Sequence, residues 1–160
     1  MPGIRLEGDI NELRNTLRNL SNFNYLGLNQ AIGDALVSST QLRFRQEKDP
    51  KGRKWKKSIR AESEGGQTLS KSTDLKNSIN SRATEEGVVV GTNKKYARIH
   101  QYGGEIRAKN KKVLRFKVNG RWISKKKVKI PKREFLGISN SDLIEIKEII
   151  EEKIREHVER

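Results

Sequence analysis

Apolar residues recur at helical spacing in three parts of the chain. Near the start, Asp9 and Glu12 form a reciprocal capping pattern that precedes four apolar residues spaced by three and four: Ile10, Leu13, Leu17 and Leu20. This predicts an N-terminal helix over residues 1–22. A second stripe predicts a longer helix from about Leu28 to Phe44, which ends before Asp49-Pro50 because proline disfavours helical geometry in the preceding residue. A third stripe, after a capping pattern over 142–145, predicts a C-terminal helix over 139–160.

The middle of the chain instead shows the patterns of strands. Residues 86–92, EGVVVGT, form a β-branched run bounded by glycines, which indicates a buried strand. In VLRFKVNGRWIS, apolar and basic residues alternate around Asn119-Gly120, the favoured pair for a type I′ hairpin turn. This turn places Phe116 opposite Ile123, and Lys117 opposite Trp122 at cation–π distance. A change of parity near residues 125–127 predicts a bulge or break.

Together these elements predict an α+β fold for a single domain, 1–160. We expect a small, mostly antiparallel sheet flanked by two long helices, one N-terminal and one C-terminal. Between the helical and strand regions, residues 49–72 are rich in charge and glycine, and Trp55, Ile59 and Leu69 are their only large apolar residues. Because structureless loops of this length are usually functional or disordered, we expect a long mobile loop over 49–72.

Composition adds a strong electrostatic signal. Of the 160 residues, 32% are apolar and 34% charged, and the formal net charge is +15. Such a charge attracts polyanions, of which nucleic acid is the commonest. There is no cysteine, which excludes disulfides and thiolate chemistry. Since the sequence also lacks an apolar run of signal-peptide or membrane-span length, we expect a protein that folds in the cytosol without membrane contact.

The catalytic inventory is thin. Only two histidines occur, and His100 lies in YARIHQYGG, where Tyr96 and Tyr102 surround it. His100 has a possible role as a general base, but no partner nucleophile or acid is nearby, so packing on a short helix is the favoured interpretation. The pair Gly103-Gly104 could bind a phosphate through its backbone amides, but the simpler interpretation is a glycine in left-handed conformation at the end of a helix.

No known catalytic motif is present, and we predict neither a catalytic residue, a metal site nor a cofactor site. A nuclease built on Glu105 with Lys109, or on Glu145 with Lys147, is the weaker alternative to solvated ion pairs.

Basic residues concentrate between positions 101 and 136. We predict that a set of them faces a polyanion: Arg107, Lys109, Lys111, Lys112, Arg115, Lys117, Arg121, Lys125, Lys126, Lys127 and Lys129. With Phe116 and Trp122, this segment could form a nucleic-acid-binding face of a free-standing module, line a channel for DNA, or simply be solvated. Sequence-specific readout is not expected, because no recognition helix is apparent.

The motifs also resemble a known family in their order and spacing. They are Arg43-Phe44, DPxGxxW at 49–55, Thr73-Asp74-Leu75, Val90-Gly91-Thr92, YAxIHQxGG at 96–104 and IPxRxFLG at 130–137. From about residue 27 to the C-terminal helix, this series resembles the phage virion morphogenesis family, the Mu G-like tail-completion proteins. The chain departs from the family pattern at Asp74, Lys132 and Glu134, which affects turn geometry more than chemistry.

The resemblance implies a non-enzymatic structural protein of a tailed phage or prophage that acts in tail completion or head–tail joining. It implies other tail or connector proteins as partners, a ring homo-oligomer in the particle, non-specific proximity to DNA, and a location in the virion and, during assembly, in the host cytoplasm. The resemblance also implies a structural role for a set of motif residues: Tyr96, His100, Gly103, Gly104, Pro131, Arg133 and Phe135. Since aromatic residues in mobile loops often anchor interfaces, we expect Trp55 to anchor on a neighbouring subunit or tail protein.

Overall fold

A computed structural model describes residues 22–109 and 112–159 of the chain. The predicted helix over 1–22 therefore lies, apart from its last residue, outside the described residues, as does Lys111. The described part is an α+β arrangement with short antiparallel strands. Its helices are α1 (Tyr25–Gln46), α2 (Ile59–Ser63), α3 (Asp74–Asn77), α4 (Ala97–Tyr102) and α5 (Asn140–Val158). Its strands are β1 (Asn80–Ala83), β2 (Val88–Gly91), β3 (Gly104–Arg107), β4 (Leu114–Val118), β5 (Arg121–Lys125) and β6 (Lys127–Ile130).

The two long helices, α1 and α5, lie against each other. α1 begins where the Asn24 side chain accepts a hydrogen bond from the Gly27 N–H, and it ends at Glu47, whose φ of 53° is left-handed. This confirms the predicted long helix that stops before Pro50. α5 confirms the predicted C-terminal helix, but its cap differs from the prediction: Ser139 is the N-cap, and Asp142 closes the capping box as its third helical residue.

The strands pair antiparallel, as predicted, but they form three two-stranded sheets instead of one. The pairs are β1 with β2, β3 with β6, and β4 with β5. The predicted hairpin register is confirmed, since Phe116 lies opposite Ile123 and Lys117 opposite Trp122. Asn119 and Gly120 have φ values of 51° and 77°, as a type I′ turn requires.

Strands β3 to β6 form two consecutive two-stranded ladders within residues 104–130, which we call the basic arm. Its lower pairs end at Arg107 and Lys127, and its upper pairs begin at Leu114 and Lys125. Between them the chain runs through 108–113 on one side and through Lys126 alone on the other. The predicted break at 125–127 is therefore confirmed, and it divides the arm into two short ladders.

The core lies where α1 meets the segments on either side of the basic arm. It contains Phe44, Trp55, Leu75, Ile79, Ala97 and Phe135. The Phe44 ring centroid lies 5.4 Å from that of Trp55 and 5.2 Å from that of Phe135. Phe44 and Phe135 are completely buried, so this aromatic cluster is the centre of the fold.

Most of residues 49–72 lie outside helices and strands, as the predicted loop implies, but the segment also contributes buried side chains to this core. The segment contains α2, and the Trp55, Ala61 and Thr68 side chains are buried. The Thr68 N–H donates to the Glu47 carboxylate at 2.7 Å, which fixes the segment to the end of α1. Such contacts place parts of the segment in the fold, although its charged composition predicted a mobile loop.

Candidate functional site

A segment without a strand partner, residues 133–137, is held by side chains from distant parts of the chain. These side chains are Arg43, Trp55 and Gln101, and we call them the clasp, together with Arg133 and with Asp142, which pairs with Arg43. Gln101 Nε2 donates to the Leu136 carbonyl at 2.8 Å, and its Oε1 accepts from the Phe135 and Leu136 N–H groups, each at 3.0 Å. Buried backbone groups need hydrogen-bond partners, and Gln101 makes the hydrogen bonds to this segment that a neighbouring strand would make in a sheet.

Arg43 joins this segment to α1 and α5. Its Nη1 donates to the carbonyls of Phe135 at 3.0 Å and Gly137 at 2.7 Å, and its Nη2 forms a buried ion pair with the Asp142 carboxylate. Burial alone raises the pKa of Asp142, but hydrogen bonds from Ser139 and Ser39 and the charge of Arg43 together lower it below its ordinary value. Both partners of the pair are therefore charged at neutral pH, and the pair fixes α5 to α1.

Trp55 and Arg133 complete the clasp from the 49–72 side. The indole Nε1–H of Trp55 donates to the Glu134 carbonyl at 3.0 Å, and the side chain is only 7% exposed. Arg133 Nε donates to the Lys56 carbonyl at 2.7 Å. In the isolated chain the indole lies inside the protein's own core, and the role of Trp55 as an anchor on another protein stays a prediction.

His100 is half-buried beside this cluster. Its Nδ1 is buried and has no hydrogen-bond partner among the described residues. Burial, and then the positive charge of Arg133, lower the pKa of His100, so the ring is neutral at neutral pH. Tyr96 is half-exposed, and its ring meets the imidazole edge-on at 6.3 Å. Within the described part of the chain no carboxylate or hydroxyl bonds the imidazole, so the geometry gives His100 no catalytic partner.

Gly103 and Gly104 turn the chain from α4 into the basic arm. Gly103 has φ 72° and ψ 176°, a region open almost only to glycine, so the helix ends here with an extended ψ and not in the predicted left-handed conformation. A Cβ at Gly103 would lie 2.9 Å from the Lys132 nitrogen. Since the backbone beside half-buried Pro131 occupies this space, the glycine serves close packing and not phosphate binding.

The predicted polyanion-facing residues lie along the arm and its connector. All those described are exposed: Arg107, Lys109, Lys112, Arg115, Lys117, Arg121, Lys125, Lys126, Lys127 and Lys129. Glu105 accepts from Arg107 at 2.6 Å and pairs with Lys127 at 3.2 Å, and these hydrogen bonds lower the pKa of Glu105. The remaining basic side chains of this set form no ion pair within the described ranges, so the arm carries a large uncompensated charge.

One face of the upper ladder combines charge with an aromatic ring. The register places Arg115 and Lys117 on the same face as Trp122. Arg115 lies over the Trp122 ring, with its Cζ 5.7 Å from the centroid, so the cation–π contact is made by Arg115 and not by the predicted Lys117. Trp122 is nevertheless 66% exposed, which leaves a large apolar surface between basic side chains.

Other kinds of site find little support in the described residues. These contain no group of three or more His, Asp or Glu side chains arranged to hold a metal ion. Neither α1 nor α5, nor any shorter described helix, has the length and apolarity needed to cross a membrane. An open groove of about 480 Å³ between α1 and the start of α5 is lined mainly by polar side chains, among them Arg43 and Asp142, which pair with each other.

Sequence reasoning missed the work of Gln101 and Asp142. Both are buried polar residues with long-range partners 34 or more positions away, which spacing along the chain could not reveal. The sequence signal that could have indicated a structural role for Gln101 was its place as an uncharged polar residue in a motif of aromatic residues and glycines.

Comparison with known proteins adds one finding. A family model described as the phage virion morphogenesis family matches residues 6–155 of the chain. Searches among curated proteins and among solved structures give no significant match.

Proposed function

The chain belongs to the phage virion morphogenesis family, and on this premise we propose that it completes the tail, or joins the tail to the head, of a tailed phage or prophage. Family membership supports a structural role in phage assembly and not an enzymatic one. In this step the protein acts through protein–protein contacts.

The observation that carries the proposal is the family match over nearly the whole chain. The described structure is consistent with it, because the family-like motifs meet in the clasp, where they hold the fold together. The motif residues Arg43, Gln101 and Arg133 all donate hydrogen bonds to backbone carbonyls of the chain itself. Recognition of other molecules is thereby left to surfaces outside the motifs, of which the basic arm is the most strongly charged.

The proposed setting is a ring of identical subunits at the end of the tail or at the head–tail junction. A ring subunit needs two different surfaces for its neighbours and a lumen that tolerates DNA. The exposed arm supplies a projecting element with uncompensated positive charge, which fits contact with acidic partner proteins and non-specific proximity to DNA. The protein would then lie in the virion and, during assembly, in the host cytoplasm.

Removal of the gene from a phage that carries it tests the proposal. Electron microscopy of lysates should show separate heads and tails, and the gene supplied from a plasmid should restore joined particles. Intact, infectious virions without the protein would contradict the proposal. Capsid and tail genes on both sides of the reading frame would support it independently.

A free-standing nucleic-acid-binding module is the second candidate, favoured by the exposed face of Arg115, Lys117 and Trp122. Such a module should bind short DNA tightly, with an affinity that falls steeply with salt as phosphate contacts release counterions. An assembly protein should bind the same DNA weakly and without sequence preference. Fluorescence anisotropy with a labelled oligonucleotide at 50–300 mM salt, roughly the range over which this dependence is measured, distinguishes the two.

A further inference from the structure

Helix α5 carries an acidic stripe, which is unexpected in a chain with a net charge of +15. Glu145, Glu148 and Glu152 follow at intervals of three and four, which places them along one side of the helix. All three are exposed. Across the described ranges none of them takes part in an ion pair, whereas Glu151, on another side of the helix, pairs with Lys147 at 3.7 Å. The stripe therefore has no counter-charge within this part of the chain.

Exposed apolar side chains lie beside the acidic stripe. The inner face of α5, with Ile146, Ile149 and Ile150 partly buried, is the side turned away from solvent, and the helix packs on α1. Four apolar residues remain exposed on the outer surface, with the following exposed fractions: Leu143 55%, Ile144 61%, Ile154 40% and Val158 53%. By helical geometry they form a band next to the glutamates, which the exposed Lys147–Glu151 ion pair interrupts midway along the helix. An acidic row beside an apolar band is typical of a surface that another protein covers.

The upper ladder of the basic arm presents the complementary pattern. Arg115 and Lys117 stand two residues apart on one strand, a separation of about 6.8 Å. Glu148 and Glu152 stand four residues apart on a helix, a separation of about 6 Å. Beside the two basic residues lies the exposed ring of Trp122, the residue type most often found at the centre of protein interfaces. The two charged pairs thus have similar spacing on the two elements, and exposed apolar surface lies beside each pair.

We propose that the basic arm of one copy docks on α5 of a second copy, with Arg115 and Lys117 on the acidic stripe and Trp122 on the apolar band. The two surfaces are different, so the contact is head-to-tail, and an open row of subunits has a free arm at one end and a free α5 at the other until a ring closes. In each chain the arm touches α2 through β4, whereas α5 packs on α1, so both surfaces face outward from separate parts of the fold. This inference rests on the proposed assembly function and supplies its subunit contact.

Nucleic acid explains the arm but not the helix. DNA would compensate Arg115 and Lys117, yet its phosphates would be repelled by the glutamates of α5 and would leave the apolar band uncovered. A second copy covers both surfaces with one contact. For this reason the acidic, partly apolar α5 is the better partner for the arm.

Sedimentation equilibrium of the full chain at low salt tests the contact through charge exchange. The wild type should self-associate, and either R115E/K117E or E148K/E152K should weaken self-association about tenfold, since two attractive exposed pairs become repulsive. The combination of all four substitutions should restore association, which a merely destabilised fold would not do. E64K/E85K, which reverses two exposed glutamates elsewhere, has the same net charge as E148K/E152K and should associate like the wild type.

Three results would overturn the contact: a wild-type chain that stays monomeric at all concentrations, reversals that leave association unchanged, or a combination that fails to rescue. Loss of oligonucleotide binding in R115E/K117E with unchanged self-association would assign the arm to nucleic acid instead. Phage complementation distinguishes failure of the contact from failure of the proposed function. A monomeric E148K/E152K chain that still yields joined heads and tails refutes the contact and leaves the proposed function standing.

Discussion

Removal of the Asp142 carboxylate is the sharpest test of the clasp. In Asp142→Ala the Arg43 guanidinium, which is almost fully buried, keeps its two carbonyl acceptors but loses its counter-charge. The same substitution removes the acceptor of the Ser139 N–H and so opens the capping box of α5. The damage therefore falls on the joint between α1 and α5.

The expected cost is large compared with the stability of a domain. Breaking a buried ion pair by removing one partner costs about 3–5 kcal/mol, because the remaining charge is left uncompensated in a poorly polarisable environment. The free energy of unfolding of a whole domain is about 5–15 kcal/mol. At about 2–4 °C per kcal/mol for a chain of this size, the melting temperature should fall by about 6–20 °C.

Urea unfolding followed by circular dichroism measures this loss. Glu145→Ala, one turn further along the same helix and exposed, is the matched control and should change the free energy of unfolding by less than about 0.5 kcal/mol. The double variant Arg43→Met/Asp142→Leu should be less destabilised than Asp142→Ala, since no charge is left buried. A loss below about 1 kcal/mol in Asp142→Ala would refute the reasoning that the pair holds the two helices together.

The same pair predicts an acid-sensitive stability. The pKa of Asp142 is lowered in the fold, so its contribution is fully present above the pKa of an unfolded aspartate, about 3.9, and is lost as the pH falls through the lower folded value. Asp142→Asn, measured by the same urea titration from neutral pH downward, should lose this part of the acid dependence. An unchanged acid profile would show that the carboxylate is not held as described.

The remaining predictions concern the core, the turn into the arm and the histidine. Trp55→Ala should cost about 3–5 kcal/mol in urea unfolding, whereas Trp122→Ala should cost less than about 0.5 kcal/mol, and equal losses would contradict the two placements. Gly103→Ala should cost at least about 2 kcal/mol, because its Cβ meets backbone, while Gly120→Ala, with a similar φ but open space, should cost about 1 kcal/mol. With its pKa lowered in the fold, His100 contributes stability above the unfolded pKa of about 6.5, and this contribution is lost as the pH falls below that value. His100→Leu should therefore flatten the pH dependence of the urea midpoint between about pH 7 and 5. An unchanged pH slope in that variant would contradict the buried neutral ring.

Local patterns predicted the regular elements well. The 3.6-residue period gave α1 and α5, and the alternation around Asn119-Gly120 gave the hairpin with its register, because both signals arise from neighbours along the chain. The division into three sheets was not predictable in the same way. It depends on β3 pairing with β6 across the whole hairpin, a contact between residues 26 positions apart such as Gly104 and Ile130.

The clasp shows why the site residues were only partly predictable. Sequence reasoning assigned Trp55 to a mobile loop because its neighbours are charged, yet one buried ring and one indole hydrogen bond place it in the core. Arg43 and Gln101 appeared in the motifs, but their partners are backbone groups, which carry no sequence signal. For the arm, composition predicted exposure of the basic residues, and the exact partner of the Trp122 ring depended on side-chain geometry.

The clasp also sets the order in which the protein can become stable during synthesis. The partners of Arg43 and Trp55 lie between 79 and 99 residues downstream, at Glu134, Phe135, Gly137 and Asp142. Until the ribosome has released that segment, the guanidinium and the indole lack these acceptors, and α1 has no α5 to pack on. Contacts of such long sequence separation make folding slow. The basic arm therefore emerges before the fold that carries it, and a nascent or truncated chain that ends before residue 133 is a positively charged polypeptide without a closed core.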